Sequence, residues 1–197
     1  TACANAPETS LLPFARPAEL GQSGALCGMQ DIQGTVLPAI KGRVAQCGLA
    51  NPVSVTEVAG VRLSRPATMD CTTAKTLRDW TVNSLIPMTA DFRGGVDRML
   101  VIGHYSCRTR NNRVGAKISE HGKGRAIDIA GFQMNDGSNV TLLDDWNTGR
   151  AGGILKRLHR AACGPFGTVL GPNANAAHRD HYHFDTARYR SGTAYCR

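Results

Sequence analysis

The sequence has no C-x-x-C pair, no internal repeat or low-complexity tract, and no apolar run approaching the ~18 residues that a membrane span needs. Without close cysteine pairs, zinc knuckles and thioredoxin-type redox motifs have no basis. Nor does any segment read as the apolar region of a signal peptide; an exported chain whose leader has been removed is the expectation. Aromatic residues are only 6% of the chain, too few for the stacking platforms of single-stranded nucleic-acid binders, so nucleic acid is not an expected partner. Carboxylates are scarce too: 15 acidic residues face 23 basic ones, a net charge of +8, and 18 of those 23 are arginine.

What is present begins with that basic excess. Between Arg98 and Arg125 stand Arg98, Arg108, Arg110, Arg113, Lys117, Lys123 and Arg125, against the single carboxylate Glu120. Such a stretch attracts an anionic partner, or else forms a generally basic solvated surface. Arginine suits carboxylates and phosphates because its planar fork meets both oxygens of an anion. A length of 197 residues with 42% hydrophobic content gives one globular domain with a real core. The seven cysteines, at 3, 27, 47, 71, 107, 163 and 196, are dispersed. The last six read as three disulfides in an oxidising compartment, with 15 possible connectivities. Cys3 follows small residues, as at a bacterial lipoprotein processing site, which would give a lipid anchor; a plain terminal thiol is the other reading.

Residues 1–26 read as a tail or linker, and 27–197 as a single domain with an N-terminal extension at 27–69. Val53 and Val55, then Val61 and Leu63, alternate as short strands around an Ala59-Gly60 turn. Residues 72–92 read as helical, with Thr72 or Thr73 capping the start and Pro87 ending or kinking the run. Met99–Gly103 is a buried strand. A second helix covers 153–162, stopped by Gly164-Pro165.

Five of the six histidines fall in two regions: His104 and His121, then His178, His181 and His183. After His121, glycines at 122 and 124 permit a tight turn into the alternating run Ala126–Ala130, where Ile127 and Ile129 point one way and Asp128 the other. A carboxylate there is costly unless it is paired or bound to a cation. In the second region His181, His183 and Asp185 share one strand face, while Tyr182 and Phe184 face the core. Two imidazoles with Asp128 make a set typical of a catalytic zinc site with an open fourth position. A purely structural His–Asp cluster on a sheet face is the alternative.

The motif Ser119-x-x-His121-x-x-Gly124-x-Ala126-x-Asp128, followed by Asp180-His-x-His183, resembles the zinc D-Ala-D-Ala peptidases, whose wider group includes lysostaphin-type enzymes and the hedgehog domain. Tyr105–Arg108, Ser119–His121, Phe166–Gly171 and Asp180–His183 resemble more closely a bacterial family of extensin-like C-terminal proteins. The likeness covers roughly residues 70–197. It implies His121, Asp128 and His183 as ligands of a zinc ion, Asp180 as general base, His181 beside the reacting carbonyl, and Arg108 as the basic residue of the site. Arg110 stands two residues on, so either arginine is a candidate. Asp180 stands where the group often has the longer Glu. On an ideal strand it would point away from His181 and His183, so the chain must bend before His181.

The expected fold is therefore α+β: a small, mostly antiparallel sheet carrying a zinc site, flanked by helices near 73–86 and 153–162. The expected activity is zinc-dependent hydrolysis of an amide bond at a D-amino acid in peptidoglycan stem peptides, with an endopeptidase favoured over a carboxypeptidase. A non-catalytic zinc module that binds wall peptides or a protein partner is the alternative. The expected setting is periplasmic or extracellular, as a monomer. A Cys107–Cys196 bridge would tie the C-terminus beside the site.

Overall fold

The computed structural model describes residues 23–197. Cys3 and most of the expected tail lie outside the described residues; the last four of residues 1–26 form strand β1 (Ser23–Leu26), which pairs antiparallel with β2 (Met29–Val36). The short β3 (Ile40–Lys41) and β4 (Gly48–Leu49) make a separate two-stranded sheet. β5 (Val53–Val58) and β6 (Val61–Met69) are the expected alternating pair, burying Val53, Val55, Val61 and Leu63.

The first helix, α1 (Cys71–Trp80), is capped by Asp70, whose side chain accepts from the Thr73 N–H at 2.7 Å, and not by Thr72 or Thr73. A carboxylate is the better acceptor for the free amides of a first turn. Pro87 acts as expected, but its effect is felt upstream. It has no N–H to offer Asn83, and Thr81–Leu85 widens into a π-helical turn in which the Ile86 N–H reaches Thr81 O, before α2 (Ile86–Thr89).

Next come β7 (Val96–Gly103), β8 (Ala126–Met134), β9 (Asn139–Thr141), α3 (Leu142–Asp145), α4 (Gly149–Ala162), β10 (Thr168–Leu170), β11 (Tyr182–Asp185) and β12 (Tyr195–Cys196). Among the described residues the main sheet has ten strands in the order β1-β2-β5-β6-β7-β8-β11-β10-β12, with β9 on β8. It is mostly antiparallel, as expected, with β6–β7 and β10–β12 parallel. It is not small, because the N-terminal extension supplies three of its strands, β2, β5 and β6, and the end of the expected tail supplies β1.

One face of its centre packs on the helices. Trp80, Phe132, Tyr182, Phe184 and Phe166 are almost fully buried. Phe184 stacks between Tyr182 and Phe166, with ring centroids 5.1 and 5.0 Å away. The two polar tips find partners on α4: Tyr182 OH donates to Leu155 O and Trp80 Nε1 to Leu158 O. Large aromatic side chains whose polar atoms are paired fix a strand firmly against its support.

Among the described residues there are three disulfides, Cys27–Cys71, Cys47–Cys107 and Cys163–Cys196. The expected Cys107–Cys196 bridge is not formed. Parallel pairing of β12 with β10 carries Cys196 to the C-terminal cap of α4, where Cys163 stands. Cys107 instead fastens the segment after β7 to the β3–β4 hairpin. The same hairpin braces the turn that follows His121: Gly124 sits at φ +64° against Leu49, where any Cβ would overlap the Leu49 side chain. Opening the Cys47–Cys107 bridge with a Cys47→Ser/Cys107→Ser double variant should cost about 2–4 kcal/mol in chemical denaturation. It should also lower metal occupancy more than opening Cys163–Cys196 does, as elemental analysis of the two proteins will show.

Candidate metal centre

Asp128 on β8 and His183 on β11 are direct cross-strand partners in the antiparallel register. Both project from the face opposite the aromatic core. The third group, His121, lies on a 3₁₀ turn (Glu120–Lys123) that leads into β8. On the other side of β8, Asp128 faces Gly103 of β7, where a Cβ would overlap the Asp128 carboxylate. The carboxylate therefore has room only because residue 103 has no side chain. The buried group His121, Asp128 and His183 could hold a metal ion.

The hydrogen bonds around the group fix its chemistry. His121 Nδ1 lies 2.8 Å from the backbone oxygen of His104, which only accepts, so Nδ1 carries the hydrogen and Nε2 is left bare in the neutral ring. His183 Nε2 lies 3.1 Å from Asp185 Oδ2, which leaves its Nδ1 bare in the same way. These two bare nitrogens stand 3.1 Å apart, at 3.1 and 2.9 Å from Asp128 Oδ1. Three lone-pair atoms converging in a buried space repel unless positive charge sits among them. A tetrahedral cation with bonds of about 2.0–2.1 Å spaces its ligands by about 3.3 Å, close to what is seen. Histidines whose outer N–H is held by a carboxylate or carbonyl are the usual company of a bound metal. The donor set, two nitrogens and one oxygen, fits a borderline-soft ion such as zinc.

Without a metal, a proton is the remaining source of positive charge. Burial pushes the His183 imidazole down, but hydrogen bonds to Asp128 and Asp185 outweigh it and raise its pKa to about 9. Burial likewise opposes ionisation of Asp128, yet hydrogen bonds from His121 and His183 hold its carboxyl well below the usual range.

The group opens into a cleft of about 900 Å³, lined among others by Arg108, Ser119, His181, Tyr189 and Tyr195. The chain does bend before His181: Asp180 lies in a turn and regular β11 starts only at Tyr182. Asp180 Oδ1 accepts from His181 Nδ1 at 2.8 Å, a bond that holds the Asp180 carboxyl below its ordinary pKa. His181 then turns its Nε2 to within 3.9 Å of Asp128 Oδ1. Arg108 and Arg110 both line the cleft, but Arg110 leans on Glu120 at 3.8 Å, while Arg108 makes no ion pair among the described residues.

His178 also lines the cleft and had no role assigned from the sequence. Asn175 Oδ1 accepts from the Ala177 N–H at 3.0 Å, which fixes the amide orientation. The same oxygen takes His178 Nδ1–H at 2.9 Å, so Nε2 presents a lone pair with no protein partner among the described residues. Burial, then the neighbouring His183 and His181, lowers its pKa to about 4 and keeps it neutral. The H-x-x-H-x-H spacing was the one signal for it. Asp185 was placed on the His183 face by alternation but given no role, and the His104 carbonyl left no trace in the sequence as an outer partner.

Residues 25–197 match the family described as extensin-like protein C-terminus. The chain belongs to that family. Neither a curated protein nor a solved structure shows a significant match. In this extensin-like chain no helix among the described residues is long and apolar enough to cross a membrane, and its three disulfides are consistent with an extracytoplasmic protein.

The Gly103 contact gives a clean test, since Gly103 does not sit at positive φ and alanine is tolerated by the backbone there. Gly103→Ala should leave the far-ultraviolet circular dichroism unchanged and remove most of the bound metal. Asp185→Asn, measured by zinc competition with a chelator, should weaken affinity by about 10–100-fold, since His183 then loses its carboxylate partner.

Proposed function

We propose that this extensin-like chain is a zinc-dependent peptidase of the bacterial cell wall, hydrolysing an amide bond at a D-amino acid in peptidoglycan stem peptides or their cross-links. The convergence of His121, Asp128 and His183 at the floor of an open cleft carries this reading. The Ser119–Asp128 and Asp180–His183 motifs, which resemble the zinc D-Ala-D-Ala peptidase, lysostaphin and hedgehog group, support it. A net charge of +8 suits a substrate polymer bearing free carboxylates. The disulfides accord with a periplasmic or extracellular location, and lipidation at Cys3 would tether the chain there.

A zinc ion held by His121, Asp128 and His183 would supply a water of lowered pKa and polarise the scissile carbonyl. The protein groups then have distinct tasks. Asp180 and His181 act as one proton-accepting pair. Their bond leaves His181 Nε2 facing the metal ligands, so that atom takes the proton from the attacking water and the ionised Asp180 offsets the positive charge that develops on the ring. The same pair returns the proton to the leaving amine. Arg108 offers its fork to a substrate carboxylate or to the developing oxyanion. His178, as a hydrogen-bond acceptor, holds a substrate N–H beside the scissile bond.

The open cleft favours an endopeptidase, since a carboxypeptidase needs a closed end. Digestion of purified muropeptides with mass readout, with and without chelator, tests the reading: chelator-sensitive loss of cross-linked species is expected. Asp180→Ala and His181→Ala should each keep zinc and lower turnover by roughly 10²–10⁴-fold. Zinc-loaded wild type that cleaves neither cross-linked nor linear muropeptides would instead make the chain a zinc module that binds wall peptides or a partner.

A further inference from the structure

Beside the metal cleft lies a second one of about 450 Å³, lined by Arg110, Lys117, Lys123, Val44 and Ile118. Arg110 lines both clefts and stands between them, so the two are neighbours. Three cations surround this space. One carboxylate, the buried Glu120, lies against two of them, with Lys123 Nζ at 2.8 Å and Arg110 at 3.8 Å. It cancels one charge, and Lys117 has no ion pair among the described residues. Exposed Arg113 lies on the same loop as Arg110 and Lys117, and exposed Arg43 precedes Val44 in the chain.

The walls are built and not merely adjacent. One is the 108–119 loop, closed at its base by the Thr109–Ile118 bridge and by Arg110 N–H to Lys117 O at 2.9 Å. The other is the segment joining β3 to β4, which carries Val44 and Gln46. The Cys47–Cys107 disulfide links the two, so their spacing is set before any ligand arrives. A groove with Val44 and Ile118 among these cations fits an extended chain that alternates short aliphatic side chains with carboxylates.

We propose that this groove is a subsite for a second carboxylate-bearing stem peptide, the one that continues away from the scissile bond in cross-linked wall material. It rests on the peptidase reading above and adds the direction in which substrate leaves the metal cleft. It also accounts for three of the seven basic residues of the 98–125 stretch. Arg98 and Arg125 lie elsewhere, on β7 and beside Asp70, while Arg110, Lys117 and Lys123 gather here.

Co-sedimentation with isolated peptidoglycan sacculi tests it. Native sacculi are compared with sacculi whose carboxylates have been amidated, and zinc content is measured as the check of folding. Wild type should bind native sacculi at low salt and lose about tenfold in affinity on amidated ones; Lys117→Glu, with zinc intact, should lose about tenfold on native sacculi. Equal binding of Lys117→Glu and wild type, or indifference to amidation, would overturn the subsite. So would sedimentation with phosphatidylglycerol vesicles but not with sacculi, which would make the groove a lipid-surface contact. Loss of muropeptide cleavage alone would sink the peptidase reading and leave these binding results standing.

Discussion

Two imidazole nitrogens and one carboxylate oxygen, each with its lone pair aimed at the same point, form the constraint around which this fold is arranged. His121 and His183 cannot turn away, because the His104 carbonyl and Asp185 hold their outer nitrogens. Asp128 cannot withdraw, because its strand is paired on both sides and its carboxylate fits only over Gly103. Converging lone pairs in a buried space are unfavourable by themselves. The arrangement is coherent only with a cation at its centre, or with a proton as its substitute.

The remainder of the molecule supplies stiffness to that point. Asp128 and His183 stand back to back with the stacked Tyr182, Phe184 and Phe166, so the sheet cannot shift on one face without disturbing the core on the other. His121 lacks such backing, since it sits on a turn. There the N-terminal extension serves: Leu49 packs under Gly124, and Cys47 ties down the segment whose backbone receives His121. The extension is thus part of the site's support, and it lies within the family match, which runs from residue 25.

The legible parts of the sequence were those governed by local period. Alternation around Asp128 and His183 put both on a polar sheet face, and the helical stripe of Ile154, Leu155 and Leu158 placed α4. Long-range pairing was not legible. Nothing near Cys196 indicates that β12 runs parallel to β10, and so its partner Cys163 could not be chosen over Cys107. Residues 23–69 alternate too weakly to reveal all four strands that they give the main sheet. Gly103 reads as an ordinary strand end, and only the register with β8 shows what it makes room for. His178 looked like one more histidine until Asn175 fixed its tautomer.

The central claim is that His121 Nε2, Asp128 Oδ1 and His183 Nδ1 bind one zinc ion. X-ray absorption at the zinc edge of the stoichiometrically loaded protein reads the ligand shell directly. The account predicts one zinc per chain, two imidazoles, oxygen for the remaining ligands at about 2.0–2.2 Å, and no sulfur. A sulfur shell near 2.3 Å, an all-oxygen shell, or an imidazole count that His183→Ala leaves at two would contradict it.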